Sequence, residues 1–321
     1  MNGFFNLDKP VGISSAEAVR RVKKELGKVK VGHAGTLDPS ASGVLPILVG
    51  KATRLSDEFL GYRKKYLAQV TFGVTTDSYD AEGNVLEKTS LGDLPELSQG
   101  EIAGSVRSLL ESQTISTSPT AQQGTIISQT PPPYSAIKTN GVRAYKLARE
   151  NKSVDLSPRP VTIYDWNISE VSEGPDEYPE CDLEVECGRG FYIRSLVHDL
   201  GQHVGIGAHL SALRRTMVGN FAITDAITLD DLVVRLRSGL IDEVLLQIDR
   251  VFEDRPAAIL TSEQVRDIGY GNSVILCPTR AYAKRNMSTK SLRGYGPNGE
   301  LIALMERDLG LGSWRSVKNL A

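Results

Sequence analysis

Apolar positions along the chain recur in two registers. Val19, Val22 and Leu26 fall at helical spacing, while Arg20, Arg21, Lys23 and Lys24 lie outside that stripe. Ser14 with Glu17 three residues on predicts a capping box, and Gly27 a stop. Further helices are predicted over 52–60, 98–110, 141–150 and 228–238, and from near 191 onward. Strands are predicted over 3–6, in the aliphatic run 44–49, and in the alternating stretch through Gln69, Thr71 and Phe72. Others follow over 160–171, 178–187 and 209–217. Strands and helices mix without βα alternation, so the pattern predicts an α+β chain around a mixed sheet.

Near residue 251 the pattern changes to short strands and turns, ending in Leu301-Ile302-Ala303-Leu304-Met305 and the segment around Trp314. This divides the chain into a large unit, 1–250, and a small β-rich unit, 251–321. Residues 111–130 are rich in Ser, Thr and Gln, which predicts an extended or disordered insertion with nothing to bury. Pro131-Pro132-Pro133 stiffens its exit. Gly294-Tyr295-Gly296-Pro297-Asn298-Gly299 matches a dinucleotide-binding pattern, but its Pro-Asn-Gly reads as a hairpin turn before a strand. The polar run 75–84 lacks the spacing of a calcium loop.

Composition bounds the class. Of 321 residues 40% are hydrophobic and 24% charged, as in an ordinary globular protein. No apolar run approaches the roughly 20 residues that span a bilayer. Asp8 and Lys9 interrupt the first apolar residues, so no secretory signal is expected and the cytoplasm is the expected location. Cys181, Cys187 and Cys277 form no C-x-x-C pair and read as free thiols. The net charge of −2 hides an asymmetry. Residues 1–65 carry twelve Lys and Arg against six Asp and Glu, the remainder twenty-five against thirty-three. One positive face on an acidic protein is compatible with phosphate binding.

Chemistry concentrates in the run from Val31 to Pro46. Its glycines and Asp38-Pro39 mark an irregular loop that holds His33 and Asp38 beside a rigid strand. Asp before Pro is also ordinary turn chemistry, so the loop alone does not make Asp38 catalytic. His198, His203 and His209 lack ligand spacing, and no metal site is expected.

Several ordered motifs go further. Leu7-Asp8-Lys9-Pro10-Val11-Gly12-Ile13-Ser14-Ser15, Gly32-His33-Ala34-Gly35-Thr36-Leu37-Asp38-Pro39, Lys65-Tyr66 and Thr76-Asp77-Ser78-Tyr79-Asp80-Ala81-Glu82-Gly83 are followed by three more. Those are the run from Gln129 to Lys138, Gly190-Phe191-Tyr192-Ile193-Arg194, and Leu213-Arg214-Arg215. Together they closely resemble the bacterial tRNA pseudouridine-55 synthases of the TruB family, over residues 3 to about 220. The resemblance implies the pseudouridine synthase fold: a mixed, largely antiparallel central sheet with flanking helices. It also implies a small C-terminal PUA-like RNA-binding domain.

It implies isomerisation of one uridine in the T loop of tRNA, with no cofactor, no membrane and no obligatory protein partner. Asp38 matches the nucleophile, at ribose C1′ or uracil C6, and Arg194 the arginine that pairs with it. Tyr66 matches the tyrosine stacked on the base and a candidate for proton transfer. His33 matches the residue that fills the space left by the flipped base, with the neighbouring glycines as clearance. Asp80, Tyr192 and Leu213 match positions around that base, and Lys9 and Pro10 a motif supporting the loop. The alternatives are an RNA-binding protein or tRNA folding chaperone with incidental catalysis, or a related synthase with another RNA target.

Overall fold

The computed structural model describes residues 1–117, 123–135, 138–139, 142–143, 156–174, 176–276, 290–308 and 310–320. The chain opens with β1 (Gly3–Lys9), α1 (Ser15–Leu26), β2 (Val31–His33), β3 (Ala41–Val49), α2 (Ser56–Gly61) and β4 (Lys64–Phe72). A small hairpin of β5 (Val74–Thr76) and β6 (Val85–Lys88) precedes α3 (Gln99–Gln113), β7 (Thr114–Thr117) and β8 (Thr125–Gln129). The short pair β9 (Lys138–Thr139) and β10 (Val142–Arg143) comes next, then β11 (Arg159–Ile168), β12 (Ser172–Glu173) and β13 (Pro179–Cys187). After these come α4 (Ile193–Val204), β14 (Ala208–Val218), β15 (Phe221–Ala222), β16 (Ile227–Thr228) and α5 (Leu229–Arg237). The last segment holds β17 (Ala257–Ile259), α6 (Ser262–Gly269), β18 (Ser291–Tyr295), β19 (Leu301–Arg307) and β20 (Trp314–Asn319).

One twelve-stranded sheet dominates, in the order β16-β1-β3-β14-β4-β13-β11-β8-β7, with β2, β12 and β15 pairing on its flanks. Only β1–β16 and β3–β14 are parallel, so the sheet is mixed and largely antiparallel, as the sequence led us to expect. Strand alternation sorts the side chains by face. Phe5 and Leu7 of β1 and Leu45 and Ile47 of β3 pack under Ala18 and Val22 of α1 and Leu232 of α5. Ala68, Val70 and Phe72 of β4 pack under Ile102 and Val106 of α3 and Leu196 and Leu200 of α4. Tyr66 and Leu213 are only partly buried and touch both clusters. The seam between the clusters therefore runs over the central strands.

On the opposite face Phe4 meets Phe59 and Phe221 edge-on, at ring distances of 5.2 and 4.9 Å. Leu304 and Leu320 from the end of the chain join this cluster. The four strands β17–β20 form their own sheet, packed with α6 around Leu260, Ile268, Leu292, Met305 and Trp314. Arg255 and Lys318 both reach Glu58 of α2, at 2.9 and 3.3 Å, so one carboxylate ties this sheet to the main body.

The structure departs from the sequence reading in three places. Residues 111–130 are not a disordered insertion over their described part. Helix α3 runs on to Gln113, and β7 and β8 form a hairpin at the sheet edge with Ile127 fully buried. Average polarity hid the alternation, and Thr and Ser suit an edge strand well. Residues 118–122 lie outside the described residues. Of the helix expected over 141–150, Val142 and Arg143 are extended and pair with β9, and the rest lies outside the described residues, as does Cys277. The capping box of α1 is half made. Ser14 Oγ accepts from the Glu17 N–H, but the Glu17 carboxylate turns to Arg20 and Arg21.

Phe4→Ala should destabilise the protein by about 3–5 kcal/mol, because it empties a fully buried aromatic site. A urea titration reads this as a lower midpoint. A loss below about 1 kcal/mol would mean that the cluster can collapse around the missing ring.

Candidate active site

The loop after β2 is held from below by the start of the chain. Ser15 Oγ accepts from the Leu37 N–H at 2.9 Å and donates to the Leu37 carbonyl at 3.0 Å, and the Gly12 N–H reaches the Pro39 carbonyl at 2.8 Å. Lys9 is fully buried, and its ammonium donates to the carbonyls of Pro10 and Ile13, both at 2.8 Å. That ammonium folds the turn which in turn grips the loop. Burial pushes the Lys9 pKa down to about 8, against the pull of nearby Asp38 and with Arg215 adding to the fall. The motif 7–15 thus acts as the footing of Asp38, whose side chain stays 42% exposed at the top of the loop.

Arg194 arrives from the first turn of α4. Gln129 at the end of β8 grips the Tyr192 backbone both ways. Its amide donates to the Tyr192 carbonyl at 3.0 Å and its carbonyl accepts the Tyr192 N–H at 2.8 Å. Ser195 Oγ donates to the Thr130 carbonyl at 2.7 Å. The guanidinium so placed is 7% exposed and has four oxygen partners. They are the Asp38 carboxylate at 3.0 Å, the Asp80 carboxylate at 3.4 Å, and the carbonyls of Tyr134 and Ser78 at 2.9 and 3.1 Å. Asp80 is itself buried, and its other oxygen accepts from the Ser78 hydroxyl and the Glu82 N–H. A buried cation between two carboxylates fixes direction as much as charge: Asp80 backs Arg194, and Arg194 aims Asp38.

Beside this pair opens a cleft of about 690 Å³. Asp38, Tyr66, Tyr192, Arg194 and Leu213 line it together with Lys64, Arg189 and Arg215. Burial raises the pKa of the Tyr66 phenol, and Arg215 beside it works against that rise. Burial likewise raises that of the Tyr192 phenol, with Arg194 opposing. The Lys64 ammonium donates to the carbonyls of Leu60 and Tyr62 at 2.7 and 2.6 Å, and burial lowers its pKa to about 8. A carboxylate held by a cation, facing two phenols and an aliphatic side chain, can take a flat polar ring, attack it and move a proton.

Five of the residues singled out from sequence therefore meet in one cleft: Asp38, Tyr66, Arg194, Tyr192 and Leu213. The other four do not line it. Asp80 lies behind Arg194, and Lys9 and Pro10 lie beneath the loop. His33 ends β2 opposite Ile47, its Nδ1 buried without a hydrogen-bond partner. Its pKa is lowered by burial and by Arg215. Sequence reasoning passed over Ser15, Lys64, Gln129 and Arg215. For Arg215 a signal existed, since adjacent arginines on a strand face opposite ways and one of them must point to the helix-covered side. His198 stacks on Tyr79 at 3.7 Å while His209 Nδ1 meets the Val74 carbonyl, so the two histidines serve separate packing sites.

Comparison with known proteins agrees with this geometry. Residues 23–193 match the family described as TruB family pseudouridylate synthase (N terminal domain). Residues 194–253 match the tRNA pseudouridylate synthase B C-terminal domain. The tRNA pseudouridine synthase B of Clostridium kluyveri is 35% identical over 309 residues, 96% of each chain. That of Aquifex aeolicus is 38% identical over 276 residues, 86% of this chain and 88% of the other. Among solved structures, a chain of a Cbf5–Nop10–Gar1 complex superposes with a TM-score of 0.67 at 26% identity, over 99% of this chain and 85% of that one.

Lys64 offers a test of the buried charge beneath the cleft. Its folded-state pKa lies below the unfolded value, so the charged form weakens the fold at lower pH, and that penalty lifts as pH rises from about 8 towards 10.5. The stability of the parent relative to Lys64→Met should therefore shift in the parent's favour across that window, read by urea unfolding at each pH. A difference that stays flat with pH would place Lys64 in water-like surroundings.

Proposed function

This chain belongs to the TruB family of pseudouridylate synthases and is a tRNA pseudouridine synthase, and from that premise we propose that it acts at position 55 in the T loop with Asp38 as nucleophile. The observation that carries the reading is the Asp38–Arg194 ion pair at the half-exposed lip of the cleft, with Tyr66 and Leu213 at the seam below. The target uridine swings out of the folded loop into this cleft, at a cost of a few kcal/mol in lost stacking and pairing. His33, at the end of β2, enters the space the base leaves. Tyr66 stacks on the base, and Tyr192 and Leu213 confine it.

The carboxylate of Asp38 then attacks, at ribose C1′ or at uracil C6, dividing one hard step into easier ones. The bond from N1 to C1′ breaks, the base turns within the cleft, and C5 joins C1′. The proton on C5 passes to a base, for which Tyr66 in its phenolate form is the candidate, and N1 ends protonated. Atoms balance within the one nucleotide, so the chemistry calls for no cofactor. Arg194 releases part of its hold on Asp38 as the new bond forms and keeps Asp80 as its standing partner.

The T arm would approach over the basic start of the chain, where Lys23 and Lys24 of α1 stand exposed. Residues 251–321 read as a PUA-like module that holds RNA beyond the target loop, with 1–250 as the catalytic unit.

Incubation with unmodified tRNA tritiated at uracil C5 tests the central claim. The parent should release tritium from position 55, and Asp38→Asn should release none while still binding tRNA. Equal release by both proteins would remove Asp38 from the mechanism, and binding without release by the parent would favour an RNA chaperone. Affinity for tRNA should also fall log-linearly with salt as phosphate contacts release counterions. An affinity indifferent to salt would contradict the basic approach face.

A further inference from the structure

Arg215 is the largest fully buried side chain of the protein, at 1% exposed. Its strand, β14, lies between β3 and β4, and the residue stands opposite Gly43 on one neighbour and Tyr66 on the other. The guanidinium donates from Nε to the Val44 carbonyl at 2.7 Å and from Nη2 to the Gly35 carbonyl at 2.8 Å. The Tyr66 phenol is its cross-strand neighbour and lines the same cleft. Two glycines give it room. Both Gly35 and Gly43 have positive φ, of +82° and +105°. A Cβ on Gly35 would lie 3.3 Å from Nη1 of Arg215, and one on Gly43 would lie 2.2 Å from its carbonyl oxygen. Gly35 thus leaves room for the guanidinium, and Gly43 for the close approach of the β14 main chain.

No carboxylate pairs with it among the described residues, so a full positive charge sits in the protein interior on two main-chain carbonyls, with the Tyr66 phenol across the strand pair. A stem needed only for packing would be cheaper without that charge, since an unpaired buried cation costs several kcal/mol. The arrangement makes sense if the charge acts on something that becomes negative. Two groups near it can do so, the Cys187 thiol and the Tyr66 phenol, and of these Tyr66 lines the cleft.

We infer that Arg215 is a positioning residue for catalysis, which fixes the Tyr66 hydroxyl against the Gly35 end of the nucleophile loop and stabilises the phenolate when Tyr66 gives up its proton. This rests on the proposed role of Tyr66 in proton transfer and assigns the group that makes the role workable. Arg194 and Arg215 then divide the labour: one holds the carboxylate and the other holds the phenol. Burial favours the neutral phenol of Tyr66, and Arg215 is the neighbouring cation that works against it.

Single-turnover tritium release with Arg215→Lys, Tyr66→Phe and the double variant tests the assignment. Lysine keeps the charge and loses the fork that holds both carbonyls beside the phenol. Arg215→Lys should lower the rate at saturating tRNA by about tenfold or more with little change in tRNA affinity, and should move the rising limb of the pH–rate profile, where the phenolate forms, to higher pH. In the Tyr66→Phe background the same change should cost almost nothing further. Additive losses would overturn the inference and leave Arg215 a packing residue. A Tyr66→Phe protein with the parent rate would instead overturn the reading of Tyr66, and this inference with it. Should Arg215→Lys fail to fold, the parent-minus-Tyr66→Phe ultraviolet difference titration decides: a phenol that ionises before alkaline unfolding supports the cation, and one that stays protonated until unfolding overturns it.

Discussion

The site depends on one buried guanidinium with four oxygens around it. Arg194 holds Asp38 and Asp80 at once and draws two main-chain carbonyls from distant parts of the chain. Removing any one partner would leave charge uncompensated in a place water cannot reach well, a penalty of several kcal/mol. This forces a condition on the fold. The loop after β2, the turn 77–83, the exit from β8 and the start of α4 must all converge to within about an ångström, because hydrogen bonds weaken steeply beyond that. The grip of Gln129 on Tyr192, the clasp of Ser15 on Leu37 and the ammonium of Lys9 on its turn all serve that convergence.

Much of this was legible in the sequence, and unevenly so. The central strands were legible because β3 is a continuous aliphatic run and β4 alternates cleanly, and both patterns have a single physical reading. Helices α1 and α5 announced themselves by stripe and cap. The segment 111–130 was misread because composition was averaged where alternation mattered: Ile127 and Gln129 face the core while their neighbours face water. The members of the site were legible only through their resemblance to a family. Spacing alone cannot say that residues 38, 80 and 194 meet, since their contacts cross more than a hundred residues. Arg215 stood inside a motif of the resemblance without a role attached to it. Strand alternation says that one arginine of the pair 214–215 points inward, and what that one touches comes only from the fold.

The two arginines also explain why glycines and carboxylates fall where they do. Around Arg194 the chain supplies charge, one carboxylate half-exposed at the lip and one buried behind it. Around Arg215 it supplies carbonyls and space, because that cation stays put. The same residue type thus has two environments a few ångströms apart in function, one open at the lip and one sealed beneath it. Lys9 and Lys64 extend the sealed set. Both are buried ammonium groups on carbonyls, Lys64 at the cleft wall and Lys9 beneath the loop, so buried positive charge that costs stability gathers around the site.

The place of β14 has a consequence for how the molecule comes into being. Its strand lies between β3 and β4, which are neighbours in the chain, so residues 208–218 must insert between partners made long before them. Until then β3 and β4 have no bridge, the two apolar clusters have no shared seam, and Arg215 has not arrived. On a ribosome adding roughly 5–20 residues each second, the first of the nine earlier strands of the sheet wait seconds for their central partner. Such non-local pairing is slow to form and leaves strand edges open meanwhile. The nascent chain therefore lacks an assembled site until about two thirds of it has been made, and the cleft closes only when this central strand arrives.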